Sequence, residues 1–275
     1  MKTNIILGIF TTLFLASCSS SRQEQFTIQI EPFSINEAPG IQSYSLGKAS
    51  DGKWLILGGR IDGLHKRRPF EAFLKKENNT SVFVIDPETN KTWETDLSVL
   101  PASIFEQLQS ANQEFQQRDN TLYVIGGYGY SDTKGDHTTY PNLTAINVDG
   151  LSKAVIEGSN ISSYFRQISD SNFAVTGGQL GLLNDTFYLC GGQYFEGRYN
   201  PMGPDHGPGF TQEYTNAIHT FEIVDNGTNL SVNHIKTMTD ADHLHRRDYN
   251  VAPQIMPNGE QGATAFSGVF QIGVD

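Results

Sequence analysis

Side chains that could bind a ligand are concentrated in four stretches of the sequence: 60–81, 128–142, 193–217 and 236–248. These stretches carry five of the seven His, six of the nine Arg and six of the eleven Tyr. Tyr and Arg are enriched where proteins make strong contacts, because each combines a large flat surface with hydrogen-bond donors. The candidate ligand-binding residues are Arg60, His65, Arg67, Tyr128, His137, Tyr194, Arg198, His206, His245 and Arg247.

Several of these groups allow two interpretations. The basic run 65–68 is either a solvated loop or a patch that binds carboxylate or phosphate. His243 and His245 would point the same way on a strand and could bind a metal, but no third ligand follows at a fixed spacing. We therefore assign no metal site. Arg247 either pairs with the neighbouring Asp248 or contacts a ligand.

Sequence motifs for common enzyme chemistry are missing. The chain has no glycine-rich phosphate loop followed by Lys-Ser/Thr, no Gly-x-Ser-x-Gly and no paired Cys motif. We therefore expect no cofactor and favour a binding function over catalysis. Cys190 lies in an apolar run, and we expect it to be a small core residue.

A repeated strand pattern must position these side chains. Short apolar runs of β-forming residues, each closed by a glycine pair, recur 68 and then 65 residues apart, at 54–59, 122–127 and 187–192. A second strand pattern follows each run, at 82–86, 143–147 and 218–223, and a turn then leads to a further strand. Each unit therefore contains four strands.

Four-stranded units whose second strand ends in Gly-Gly resemble the kelch β-propeller family. The resemblance covers roughly residues 41–275 and implies an all-β propeller with about four blades present. The fourth blade is incomplete, because only 248–253 and 263–270 match its first two strands. We expect either a fragment of a larger propeller or a four-bladed propeller closed by a strand at 26–30.

A second repeat lies between units. The segments 103–108 and 163–168 match each other, and we expect each to be a short amphipathic helix, the first started by Pro101. The turn at Asp149-Gly150 should lead directly into a fourth strand.

The N-terminus reads as a targeting segment. A basic start and a short apolar run precede Leu15-Ala16-Ser17-Cys18, which resembles the lipobox of bacterial lipoproteins. The resemblance implies a signal peptide at 1–17, a lipid on Cys18, a tether at 18–25 and a propeller domain at 26–275. It also implies an outer-membrane location, with the side of the membrane left open.

Charge and composition limit the function. The formal net charge of −11 excludes binding of nucleic acid through phosphate contacts. The 27 Gly and 11 Pro argue against a helical bundle, and 37% hydrophobic residues argue against disorder. We expect a membrane-anchored module of the bacterial envelope that binds a glycan, a peptide or an envelope protein. The alternative is a sugar-modifying enzyme that resembles the kelch-type sialic-acid mutarotases.

Overall fold

The computed structural model describes residues 27–64 and 66–273. The predicted signal peptide, the lipid site at Cys18, the tether and the candidate residue His65 lie outside the described residues. The chain divides into Met1–Ser34 and Ile35–Asp275. Residues 27–34 contain no helix or strand, so the structure shows no closing strand at 27–30.

Residues 35–273 form antiparallel β-sheets, as predicted. Three sheets have four strands each, and the strands pair in up-and-down order. The first sheet contains β1 (Ser45–Lys48), β2 (Trp54–Leu57), β3 (Ser81–Asp86) and β4 (Lys91–Asp96). The second runs through β5 (Glu114–Arg118), β6 (Thr121–Ile125), an inserted hairpin of β7 (Tyr128–Ser131) and β8 (Asp136–Thr139), β9 (Asn142–Asn147) and β10 (Phe165–Ser169).

The third sheet repeats the plan of the second. It runs through β11 (Gln179–Leu183), β12 (Thr186–Cys190), an inserted hairpin of β13 (Gln193–Gly197) and β14 (Phe210–Tyr214), β15 (Ala217–Asp225) and β16 (Leu230–Thr239). The predicted fourth unit is a two-stranded hairpin of β17 (Arg247–Ile255) and β18 (Gln261–Val269).

The cores lie between neighbouring sheets. Because side chains alternate along a strand, β6 is buried on both faces. Leu122 and Val124 pack in one cluster with first-sheet residues such as Leu57, whereas Tyr123 and Ile125 pack in another with third-sheet residues. This double burial explains the continuous apolar run in the sequence. Cys190 is buried at the end of β12, as expected.

The glycine pairs lie where one sheet meets the next. All six glycines have positive φ. Val175 lies in the segment that leads into the third sheet, and its carbonyl accepts from the N–H of Gly127 at 2.9 Å. A Cβ on Gly126 would overlap the same carbonyl oxygen. Glycine is required there because the backbones approach too closely for any side chain.

The chain also turns in the same way before the first strand of every unit. In the first three units, the residue two positions before this strand has positive φ: Ser43, Asn112 and Gly177. In the fourth unit the matching residue is Asp248, the second residue of β17. The four φ values lie between 52° and 69°. The N–H of Asn112 donates to the carbonyl of Ser43, and the N–H of Gly177 donates to the carbonyl of Asn112, both at 3.2 Å. A chain of hydrogen bonds therefore joins the starts of the first three sheets.

Three short helices connect the strands. They are α1 (Ala102–Leu108), α2 (Val148–Glu157) and α3 (Ala241–Leu244), and single 3-10 turns occur at Lys75–Glu77, Leu97–Val99, Ser162–Tyr164 and Ser171–Phe173. The helix expected at 103–108 is confirmed. No described helix is long and apolar enough to cross a bilayer.

Two local predictions are wrong. Residues 163–168 form no α-helix, because Phe165–Ser169 pairs with β9 as the edge strand of the second sheet. The expected turn at 149–150 lies inside α2, which Asn147 caps by accepting from the N–H of Gly150. The helix therefore lies between the third and fourth strands of that sheet.

Candidate functional site

The predicted stretches are found at one end of the sheets, where each second strand finishes. The residue after each glycine pair forms an isolated antiparallel β-bridge with a residue shortly before the first strand of the same unit. The pairs are Arg60 with Gln42, Tyr128 with Ala111 and Gln193 with Thr176. Arg247 and Val269 pair equivalently in the fourth unit. This shared geometry brings residues from the second, third and fourth units together.

A cavity of about 180 Å³ lies at this end. Aromatic side chains form much of its wall, and hydrogen-bonding groups from the second and third units form another part. It is lined by Phe73, Asn112, Tyr128, Thr176, Gln193, Phe195, Tyr199, Arg247 and Asp248. Of the predicted candidates, Tyr128 and Arg247 therefore line one cavity.

Arg247 supplies the positive charge of this cavity. Its guanidinium carbon lies 4.6 Å from the centroid of the Phe270 ring. Its Nε is buried without a hydrogen-bond partner, although the Asp248 carboxylate lies 3.7 Å away. Stacking on the ring holds the guanidinium in place, and 22% of the Arg247 side chain remains exposed.

Tyr128 supports the cavity through its hydroxyl. The O–H donates to the carbonyl of Gly197 at 2.7 Å and accepts from the N–H of Tyr199 at 2.8 Å. Burial raises the pKa of Tyr128 well above its usual range. The ring also contacts Phe195 at 5.0 Å and Phe73 at 5.3 Å between centroids. Tyr128 therefore fixes hairpin β13–β14 against hairpin β7–β8.

Three predicted candidates do not line the cavity but bind a segment whose Phe73 does. We call the described residues of this segment, 61–64 and 66–74, the strap. Arg198 donates to the carbonyls of Ala72 at 3.0 Å and Phe70 at 2.6 Å. Arg60 pairs with Asp62 at 2.8 Å, and its guanidinium lies 4.6 Å from the Phe73 ring centroid.

His137 is the third of these. Its Nε2 lies 2.7 Å from the carbonyl of Phe73, and its ring packs between Tyr128 and Tyr130. Burial lowers the pKa of His137, although the carbonyl of Phe73 and the carboxylate of Asp136 act in the opposite direction. The three candidates therefore fix Phe73, which has a left-handed backbone with φ of 50°, at the cavity wall.

The other described candidates do not line the cavity. Tyr194 donates to the carboxylate of Glu196, and burial together with that carboxylate raises the pKa of Tyr194 to about 12. Arg67 and His206 are exposed. His245 contacts Asn216 through Nδ1 at 2.8 Å, and its ring lies against Tyr214 at 4.0 Å.

The possible histidine pair is not formed. Residues 241–244 are helical rather than extended, so His243 and His245 do not share a face. His243 bonds to Asp240 at 2.9 Å. Among the described residues, no group of three or more His, Cys, Asp or Glu could hold a metal ion.

Several cavity residues were missed as candidates. They are Phe73, Asn112, Thr176, Gln193, Phe195, Tyr199 and Asp248. Asn112 and Asp248 lie at matching positions before or at the start of the first strands, and Thr176 lies one residue before the matching Gly177. Aligning the sequences that lead into each unit would have found them, whereas the position of Phe73 depends on how the strap folds.

A comparison with protein families found no match, and a comparison with curated proteins found none either.

Proposed function

We propose that this protein is a kelch-type β-propeller lipoprotein, anchored in the outer membrane through Cys18, whose cavity binds a glycan. The four-stranded sheets would be its blades. Their common strand order, their packing face to face and the glycine pairs at each junction support this proposal.

The composition of the cavity wall supports a sugar ligand. Tyr199 offers an aromatic ring on which the C–H face of a sugar ring could stack, and the buried Phe195 packs against it. Gln193 and Thr176 offer donors and acceptors for sugar hydroxyls, and Arg247 offers a charged guanidinium. This combination in one small cavity is the observation that carries the proposal.

The size of the cavity limits what enters it. At about 180 Å³ it is smaller than the roughly 300–1,000 Å³ of pockets that enclose a drug-sized molecule. A single sugar unit at the end of a glycan is therefore the expected occupant, with the rest of the chain lying outside.

The test is a glycan array followed by calorimetry on the hits. Replacing Arg247 by Met should weaken binding of an acidic glycan at least about tenfold, because one charge-assisted contact is lost. Arg67→Met is the matched control, since Arg67 is exposed and does not line the cavity. The proposal fails if no glycan binds, or if both variants bind as the unsubstituted protein does.

The alternative function is sugar modification of the mutarotase type. Asp248 favours it, because its carboxylate lines the cavity beside Arg247 and could exchange a proton with an anomeric hydroxyl. Interconversion of sialic-acid anomers, followed by NMR, tests this. Arg247→Ala and Asp248→Asn should abolish turnover, whereas His245→Ala should retain it because His245 does not line the cavity. Absence of turnover in the unsubstituted protein excludes this activity.

The membrane anchor has its own test. Metabolic labelling with a radioactive fatty acid should mark the protein, and Cys18→Ala should abolish the label. An unlabelled protein would remove the anchor from the proposal and leave the cavity argument unchanged.

A further inference from the structure

A second cavity, of about 380 Å³, lies at the end of the sheets remote from the glycine pairs. It is bounded by the turn between β5 and β6, the end of β9, the start of β10 and the turn after β15. This cavity and the proposed glycan site have no lining residue in common.

One arginine in its wall is fully neutralised. Arg166 binds the carboxylate of Asp225 through two hydrogen bonds, at 3.1 Å and 2.7 Å. The same carboxylate accepts from the N–H of Gly227 at 2.9 Å and from the hydroxyl of Tyr123 at 3.3 Å. Only 4% of the Asp225 side chain is exposed, so its charge is used within this cluster.

The other arginine has no such partner. Arg118 is half-buried and donates to the carbonyl of Ile223 at 3.0 Å and to the hydroxyl of Tyr123 at 3.2 Å. Its guanidinium carbon lies 5.4 Å from the ring centroid of Tyr123 and 5.2 Å from that of Phe187. Within the described part of the chain it forms no ion pair. Two aromatic rings and two acceptors thus fix a guanidinium whose charge is unmatched.

Neutral polar side chains line the same cavity as this guanidinium. Thr121 and Ser163 contribute hydroxyls to the wall, and Asn147 contributes a side-chain amide whose oxygen is already occupied by the N–H of Gly150. The exposed Asp119 is the one other carboxylate that the described residues place in the lining. An anion bound beside Arg118 would therefore be attracted by the guanidinium and weakly repelled by Asp119.

We propose that this cavity is a second binding site, for a small oxyanion group held by Arg118. Both hydrogen bonds of Arg118 use Nη2, which leaves the N–H groups of Nε and Nη1 to donate to oxygens of a carboxylate, sulfate or phosphate. The orientation of Arg118 is set before binding, so little side-chain entropy is lost when the anion binds.

The test is calorimetry at low ionic strength with sulfate, inorganic phosphate and glucuronate, each titrated into the full protein. Saturable binding of sulfate or phosphate alone would identify a tetrahedral oxyanion as the ligand, whereas binding of glucuronate alone would identify a carboxylate. Arg118→Met should weaken binding at least about tenfold, because the charge-assisted contact is lost.

Asp119→Asn provides the second measurement. Removing the one repelling carboxylate should strengthen binding about two- to fivefold, with an effect that declines as salt is added. Because Asp119 is exposed, this variant stays informative if Arg118→Met fails to fold. Arg67→Met is the matched charge control and should bind as the unsubstituted protein does. The proposal is overturned if none of the three anions binds saturably, or if Asp119→Asn leaves the affinity unchanged.

Discussion

The Nε2 atom of His137 lies 2.7 Å from the carbonyl oxygen of Phe73. A carbonyl only accepts hydrogen bonds, so Nε2 must carry the proton of the neutral ring. Nδ1 is buried and has no hydrogen-bond partner. Protonating the ring would therefore place a charge where only the carboxylate of Asp136, 3.6 Å away, could balance it.

This geometry predicts a pH dependence of stability. Burial lowers the pKa of His137 in the folded state, so below about pH 6.5 the unfolded chain takes up the proton more readily. The stability that neutral His137 contributes is thus present above pH 6.5 and is lost as pH falls through the lower folded pKa. We expect His137→Gln to reduce the loss between pH 7.5 and 5 by about 1 kcal/mol in urea unfolding. His206→Gln is the matched control, and an unchanged pH profile for His137→Gln would contradict the prediction.

We expect alanine to reduce stability more at a glycine of the pairs than at a glycine in an open turn. Gly126→Ala should cost about 2–5 kcal/mol, because it forces a side chain into left-handed backbone and against the carbonyl of Val175. Gly135 also has positive φ, but a Cβ there meets nothing within 4 Å, so Gly135→Ala should cost about 1–2 kcal/mol. Urea midpoints measure both, and equal costs would mean that close approach of the sheets is not the cause.

The hydroxyl of Tyr128 should matter more than that of Tyr194. Tyr128→Phe leaves the carbonyl of Gly197 and the N–H of Tyr199 without their partner, and we expect a loss of about 1–3 kcal/mol. Tyr194→Phe removes a contact with the exposed Glu196 and an interaction with Thr138, and should change stability by less than about 0.5 kcal/mol. Thermal unfolding of the two variants compares them directly, and a similar loss in both would contradict the prediction.

The burial of Glu114 predicts a pH dependence of stability opposite in direction to that of His137. It is buried, one oxygen accepts from the N–H of Gly178 at 2.8 Å, and the other oxygen has no partner. Burial raises the pKa of Glu114 well above its usual range. Its stabilising contribution is therefore present below pH 4.5 and is lost as pH rises through the folded pKa.

Glu114→Gln should consequently be more stable than the unsubstituted protein at pH 8, by at least about 1 kcal/mol, with the difference vanishing near pH 4.5. Glu213→Gln, at an exposed position, is the control. A Glu114→Gln variant that is less stable at pH 8 would show that the carboxylate contributes favourably in its charged form.

The strand repeat could be predicted from sequence because it depends on local chemistry. Each glycine pair marks the end of a second strand, and the runs before Gly58, Gly126 and Gly191 became β2, β6 and β12. The fourth unit shows the limit of this signal, because Ser267 and Gly268 take the positive-φ positions there. Both positions keep positive φ in the fourth unit, although only the second of them is a glycine.

The segments 103–108 and 163–168 show what local similarity cannot decide. Residues 102–108 follow Pro101 and can remain helical, because β5 begins a few residues later as the start of a new sheet. Residues 165–169 lie beside β9, whose outer edge would otherwise have no partner. Sheet pairing determined the second outcome, and the sequence of that segment contains no sign of it.

The sequence did not distinguish the roles of the candidate residues. Tyr128 and Arg247 line the cavity, whereas Arg60, His137 and Arg198 bind the strap. Types of residue that bind ligands also bind backbone carbonyls, and sequence alone does not distinguish the two uses. Phe73 reaches the cavity only because these three side chains fix it there.

The left-handed turns before the first strands restrict how this protein can diversify. At Ser43, Asn112, Gly177 and Asp248 the backbone favours glycine or a short polar side chain and disfavours branched or bulky ones. Asn112 and Asp248 are also part of the cavity lining. Homologues that acquire a new ligand preference would therefore keep this small polar base and vary the aromatic residues and the strap above it.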